Sequence, residues 1–264
     1  MTGLKAIFNR IWPRRSSRMP PLLITSSVHA YAPFVELTDC EERISLTLEA
    51  LEKWLAMDRG LNVVLCDGSS FDFSERIKTR FPEAEIECLF FENDQDAVSQ
   101  FGKGWGEGEI VNYALGNSTL LREAPFFAKC TSKVFVTNFA ALFKFWNGSC
   151  LFNCRVWDDS NPDRIGLKEI DTMFYIVDKR LYLRKFSTAH LNVRDRERHY
   201  LEHCFKDVVL REKIERFLLP IMPLYEGVSG TTAKPYPPVS ADESKKDAAI
   251  RGSIGKLTNY LASS

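Results

Sequence analysis

The residues from Phe101 to Glu109 read FGKGWGEGE, with four glycines in seven positions beside a lysine and a tryptophan. So flexible a run loses more conformational entropy on folding than an ordinary one, so something must offset that loss. Lys103, held between Gly102 and Gly104, would place a cation on a backbone that can approach a ligand closely, which suits a diphosphate. A helix start just after it would also favour an anion. Glu107 and Glu109 point the other way. They would cap that helix and repel a phosphate, or bind sugar hydroxyls. The run lacks the G-x-x-x-x-G-K-[ST] order of a phosphate-binding P-loop and the G-x-G-x-x-G register of a dinucleotide fingerprint, so a structural turn remains the alternative.

The surrounding pattern says where such a loop would stand. Leu22 to Val28 is an apolar run ending in small polar residues, and reads as a buried strand. Residues 41–57 carry Ile44, Leu48, Leu51 and Leu55 at helical spacing. A second buried strand, LNVVLCDGSS, ends at Asp67-Gly68. A helix over DFSERIKTRF and a strand over AEIECLFFEND follow. The glycine run leads into a helix over EIVNYALGNSTLL, and PFFAKCTSKVFVTN is a fourth strand or a hairpin. Strands alternating with helices imply an α/β fold, a mostly parallel sheet with helices on both faces. Ligands of such sheets bind beyond the carboxyl ends of the strands. Thr25, Ser26, Ser27, Asp67, Asn93 and the glycine run all fall at those ends. Asp67 there is expected to bond ribose hydroxyls or a base N–H.

Beyond about residue 150 the pattern loosens. RVWDDSNPDR is a polar loop holding the pair Asp158-Asp159, DTMFYIVDKRLYLRKF alternates like one or two strands, and RERHYLEHCFKDVVLREKIERFLL reads as a long helix. Residues 227–247, rich in Gly, Ser, Thr, Pro and Lys, read as a flexible loop or linker, and SIGKLTNYLA as a terminal helix. The organisation expected is a basic segment over 1–19, one domain over 20–225 and a C-terminal extension over 226–264.

Composition is that of a globular protein. Of 264 residues 45% are hydrophobic and 27% charged, and 35 basic side chains balance 35 acidic ones, so nothing points to a nucleic-acid binder. No apolar run approaches membrane-spanning length, and the N-terminus lacks a signal-peptide core, so a cytoplasmic location is expected. Seven cysteines, none in a C-x-x-C pair, are expected to be buried free thiols. In LKAIFNRIWPRRSSR, Leu4, Ile7, Phe8, Ile11 and Trp12 alternate with five basic residues. This is either a short helix resting on an anionic membrane surface at the inner face, or an extension docked on the domain.

The order strand, helix, strand with VVLCDGS, helix, strand, glycine run, helix resembles the nucleotide-sugar-binding half of GT-A glycosyltransferases. GKGWGEGEIVNYAL, FFAKCTSKVFVTN and YLEH resemble bacterial glycosyltransferase-like proteins of polysaccharide and lipopolysaccharide clusters, over about residues 20–210. The resemblance implies a GT-A-like fold and a nucleotide-sugar donor, with transfer to a glycan or lipid-linked acceptor. It implies that Ser26 or Ser27 and Asp67 hold the nucleoside, and that Lys103 meets the diphosphate. It also makes Glu202, between His199 and His203, the base that deprotonates the acceptor. Asp171 is a second candidate base. Where that family carries an Asp-x-Asp metal motif, this chain has Lys129-Cys130-Thr131-Ser132-Lys133. On a strand, side chains 129, 131 and 133 share a face. Lys129, Thr131 and Lys133 would then neutralise the leaving diphosphate in place of a metal, and no cofactor is expected, a divalent cation at Asp158-Asp159 being the alternative. The competing readings are a non-catalytic nucleotide- or glycan-binding protein on a degenerate form of the fold, and a nucleotidyltransferase on a similar sheet.

Overall fold

The computed structural model describes residues 19–157 and 166–240, together with residues 242, 243, 246, 247, 249 and 251. The basic N-terminal segment, Asp158-Asp159 and the terminal SIGKLTNYLA stretch lie outside the described residues.

A six-stranded sheet runs in the order β3-β2-β1-β4-β7-β6. Its strands are β1 (Leu22–Ser26), β2 (Val63–Asp67), β3 (Ile86–Phe90), β4 (Phe126–Thr131), β6 (Cys150–Trp157) and β7 (Gly166–Asp178). The β1, β2, β3 and β4 strands are mutually parallel, whereas β7 runs antiparallel to β4 and β6 antiparallel to β7. This is the α/β, mostly parallel arrangement expected from the alternation of strands and helices. A second, two-stranded sheet pairs β5 (Val134–Val136) with β8 (Tyr225–Gly227). PFFAKCTSKVFVTN therefore makes no hairpin, because its two strands serve different sheets.

Burial on both faces explains the continuous apolar runs of β1 and β2. Leu22, Ile24, Val63 and Leu65 join one core with Trp54, Phe139 and Phe174, while Leu23, Val64 and Cys66 join the other with Phe127, Tyr175 and Phe205. On the first face lies α1 (Cys40–Met57), capped by the Asp39 carboxylate accepting the Glu42 N–H at 2.7 Å. Its buried stripe includes Ile44, Leu48, Leu51 and Trp54. Next come α2 (Ser74–Arg80), α3 (Gln95–Phe101), α4 (Lys103–Asn117), α5 (Thr119–Glu123) and α6 (Phe139–Phe143), then α7 (Lys179–Leu181) and α8 (Leu201–Arg211). Residues 166–178 form one long strand, and helix returns at 179–186 where alternation had pointed to more strand. The helix expected over 196–219 is confined to α8. All seven cysteines are free thiols.

The glycine run differs most from expectation. It is helix, not loop: α3 ends and α4 begins at Gly102, whose φ of 117° is a conformation that favours glycine. From there the glycines make a contact face. A Cβ on Gly104 would lie 2.8 Å from Leu201 Cβ, and one on Gly108 only 2.2 Å from the Cβ and Cγ of His190. The absent side chains let α4 press against the start of α8 and the His190 turn. Gly116, on the same helix, has nothing within 4 Å of its would-be Cβ.

These two glycines make an internal contrast. Gly108→Ala should lower stability by about 2 kcal/mol or more, since overpacking forces backbone shifts. Gly116→Ala should raise it, by up to about 1 kcal/mol, through helix propensity. Urea unfolding of the two variants checks the pair, and equal effects would remove the packing role from the glycine face.

Candidate functional site

At the carboxyl edge of β1 and β4 lies a cavity of about 590 Å³, within the range of small-molecule sites. Its floor is made by Thr25, Ser26, Thr131 and the α4 residues Gly106 and Glu107. One wall is the segment 228–237, which follows β8. The sequence reads that segment as part of a flexible linker. It is fixed here by Lys103 Nζ donating to Thr231 Oγ1 at 2.7 Å and by the Glu36 N–H donating to the Thr231 carbonyl at 2.9 Å.

Basic side chains gather on the side nearest that wall. Arg43 is buried on α1, and its guanidinium donates to the carbonyls of Ser27 (2.8 and 2.7 Å) and Leu37 (2.6 Å). Lys133 is 4% exposed, sits in a left-handed turn at φ 68°, and donates to Ser132 Oγ at 2.8 Å. Neither cation pairs with a carboxylate among the described residues. Burial, with the Arg43 charge beside it, pushes the Lys133 ammonium down to about 7. A Cβ on Gly230 would stand 3.2 Å from Lys133 Cε, so this glycine lets the wall approach the two cations.

The opposite side is acidic. Glu202 opens α8 and accepts a hydrogen bond from Thr172 Oγ1 at 3.2 Å. Burial raises its carboxyl above the ordinary range, and the neighbouring Glu107 and Asp171 add to the rise. Asp171 is held by three donors: Asn153 Nδ2 at 3.0 Å, the Tyr225 hydroxyl at 2.8 Å and the Met173 N–H at 2.8 Å. Behind it, Arg251 donates to Asn153 Oδ1 at 2.6 Å and pairs with Asp247. Asp195 Oδ2 accepts the Lys103 N–H at 3.2 Å, occupying the space a Cβ on Gly102 would fill, and burial raises this carboxyl too.

Eight of the residues expected from sequence line the cavity: Ser26, Ser27, Lys103, Gly104, Thr131, Lys133, Asp171 and Glu202. Three do not. Asp67 is fully buried, and its carboxylate accepts the Val28 N–H at 3.0 Å, the Ser69 N–H at 2.7 Å, the Ser69 hydroxyl at 2.6 Å and the Phe71 N–H at 3.3 Å. It ties the loop after β1 to the loop after β2 instead of facing a ribose. Lys129 is fully buried, pairs with Glu107, and donates to Thr131 Oγ1 at 2.9 Å and the Thr172 carbonyl at 2.8 Å. Its charge is already matched. Gly102 is the break between two helices, filled by Asp195.

Lys129 and Lys133 at the Asp-x-Asp position do not fit a divalent cation, Asp171 already accepts from three donors, and Glu107 is paired with Lys129. Arg43 and Asp195 were missed from sequence. Arg43 had a signal, since Arg43, Thr47, Ala50 and Trp54 form a helically spaced stripe that is buried throughout. Asp195 had none, lying in the charged run RDRER.

No protein-family model and no curated protein matches the chain. Among solved structures, core-mannan synthase A from Aspergillus fumigatus, in an Mn/GDP form, is 11% identical with a TM-score of 0.44, over 93% of this chain and 87% of that one. A glycosyltransferase involved in glycosylation of the major capsid of PBCV-1 is 12% identical with a TM-score of 0.42, over 75% and 81%. The inositol-1-phosphate CTP transferase from T. maritima is 12% identical with a TM-score of 0.42, over 89% and 96%.

Two outcomes follow from the site's charges. Asp67→Ala should lower stability by about 3 kcal/mol, because several buried donors lose a charged acceptor. A melting temperature equal to that of the parent would refute this cross-linking role. For Lys133, the folded-state value lies below the unfolded one near 10.5. The unfolded chain therefore holds one more proton between about pH 7 and 10, and stability gains from this group as pH rises through that window. Lys133→Met should be more stable than the parent at pH 7, with the gap narrowing toward pH 10. Parallel denaturant titrations across that range read the gap directly, and a constant gap would contradict the burial of an unmatched ammonium.

Proposed function

We propose that the protein is a nucleotide-sugar-dependent glycosyltransferase whose leaving diphosphate is neutralised by side chains. The observation that carries this reading is the pair of buried cations, Arg43 and Lys133, without carboxylate partners among the described residues, facing a cavity whose other side presents the part-buried carboxyl of Glu202. Removing cations from water is unfavourable unless a counter-charge arrives, and an anionic ligand would supply it. Entry of a diphosphate would hold Lys133 in its charged form.

Chemistry would then divide between the two sides. The acceptor hydroxyl attacks the anomeric carbon of the donor sugar while Glu202 takes its proton. The bond from the anomeric carbon to the diphosphate oxygen breaks, and the electron pair leaves with the diphosphate. Lys133 and Arg43 stabilise the charge growing on that oxygen, with Lys103 as a third cation at the wall. A carboxyl raised by burial is a suitable base near neutral pH. Asp171, held rigidly by Asn153 and Tyr225, orients the sugar. Ser26 and Ser27 border the nucleoside. The acceptor is a glycan or lipid-linked saccharide of cell-surface polysaccharide synthesis, assembled at the cytoplasmic face of the membrane, where the basic residues of 1–18 would touch anionic lipid. Among the described residues no helix is long and apolar enough to cross a membrane.

The test is calorimetric titration of UDP, GDP and CMP in EDTA. One nucleotide should bind in the absence of metal, and Lys133→Met should weaken it by at least ~10-fold, the scale of one charge-assisted contact. Glu202→Gln should leave that affinity unchanged while lowering transfer from the matching nucleotide-sugar by ~100-fold or more. Absence of nucleotide binding, or binding that requires Mn²⁺ or Mg²⁺, would overturn the reading.

A further inference from the structure

Three buried oxygens on residues lining the cavity have no hydrogen-bond partner among the described residues: Asp195 Oδ1 at the helix break, whose other oxygen takes the Lys103 N–H, and two on neutral side chains nearer the floor. Thr25 Oγ1, at the end of β1, belongs to a residue 4% exposed, and Asn93 Oδ1, after β3, to one 6% exposed. Both residues line the cavity. A buried polar atom left unpaired lowers stability, so most are paired, and each exception asks for a reason.

The setting of Asn93 shows how firmly it is placed. Its Nδ2 donates to the Gly106 carbonyl at 3.3 Å, which leaves Oδ1 as the free acceptor. Its backbone N–H donates to the Gly68 carbonyl at 3.0 Å. A Cβ on Gly68 would lie 2.5 Å from Nδ2, and one on Gly106 3.1 Å from it. Two glycines thus make the notch that seats this amide. An aliphatic side chain would fill such a notch without an orphaned oxygen.

The chemistry of the two atoms restricts what can meet them. An amide oxygen only accepts, so it rejects phosphate and takes an O–H or N–H. A hydroxyl both donates and accepts. Glu107, beside Gly106 on the same floor, is another acceptor. An asparagine reads a nucleobase edge by offering its oxygen and nitrogen together, and here one of the two N–H donors is already taken by the Gly106 carbonyl, which leaves the unpartnered oxygen as the main group on offer. A ring bearing several hydroxyls, each able to donate and to accept, suits a floor of acceptors. We infer that Thr25 and Asn93 form the hydroxyl reader for the sugar ring of the donor, setting which sugar is accepted. This inference rests on the proposed glycosyltransferase reading and deepens it.

The test uses Thr25→Val, which removes the hydroxyl and nearly keeps the shape, with Thr25→Ser as the variant that retains it. For whichever nucleoside diphosphate the parent binds, the diphosphate and its sugar conjugates are titrated in parallel. Thr25→Val should melt at or above the parent temperature, because an orphaned hydroxyl has gone. It should bind the nucleoside diphosphate unchanged and the preferred nucleotide-sugar ~10-fold more weakly, the scale of one lost hydrogen bond in a specificity pocket. Thr25→Ser should bind both as the parent does. Equal weakening for diphosphate and conjugate would assign these oxygens to the nucleoside and overturn the inference, as would no weakening, or the same weakening in Thr25→Ser. A parent that binds no nucleoside diphosphate fails the functional reading itself, and the same titrations show that failure before any variant is compared.

Discussion

The Lys129 ammonium has no exposed surface, and the Glu107 carboxylate matches its charge. Much of the site follows from that ion pair. Lys129 stands near the end of β4, so Glu107 must face the sheet, and this fixes the rotation of α4 about its axis. With Glu107 turned to the floor, Gly104 and Gly108 face Leu201 and His190, and Gly106 faces Asn93. The helix can settle there because those positions carry no side chain. Lys103 is then presented at the cavity wall and the start of α8 is drawn close, which brings Glu202 over the floor. A buried pair of this kind adds little to stability beyond what a well-packed apolar pair would give, but breaking it would leave a charge unmatched, so it specifies one arrangement.

The groups around the cavity are less well satisfied than the groups that build it. Asp67 and Lys129 meet donors or acceptors on several sides. Among the described residues, Arg43 and Lys133 have carbonyls and a hydroxyl but no counter-charge, and Thr25 Oγ1 and Asn93 Oδ1 have no partner. This division fits a scaffold that is complete in itself and a cavity that becomes complete with a ligand.

Legibility in the sequence followed range. The alternation of apolar runs and helical stripes is a local signal, and it located the strands, their carboxyl ends and most of the cavity floor. It could not say which way a strand-end carboxylate turns. Asp67 looks the same in sequence whether it faces a ribose or the amides of Val28 and Ser69. The glycine run was read as a loop because helix propensity disfavours glycine, and here packing against Leu201 and His190 overrides propensity. Lys129 and Lys133 share a strand face only while the chain stays extended, and the left-handed turn at Lys133 sends one to the cavity and leaves the other in the core. Contacts between distant parts of the chain, such as Asn153 with Arg251 or Lys103 with Thr231, leave no local pattern at all.

The wall over residues 228–237 has a consequence for the order of events during synthesis. Residues before 180 contain β1 to β7, enough to assemble the whole six-stranded sheet while the rest of the chain is still being made. At that point Arg43 and Lys133 would be open to water, and no cavity would exist. The β5–β8 pairing joins segments about ninety positions apart, and loop closure on that scale is slow compared with local helix formation. A nascent chain would therefore pass through a state with a finished sheet and an open basic patch.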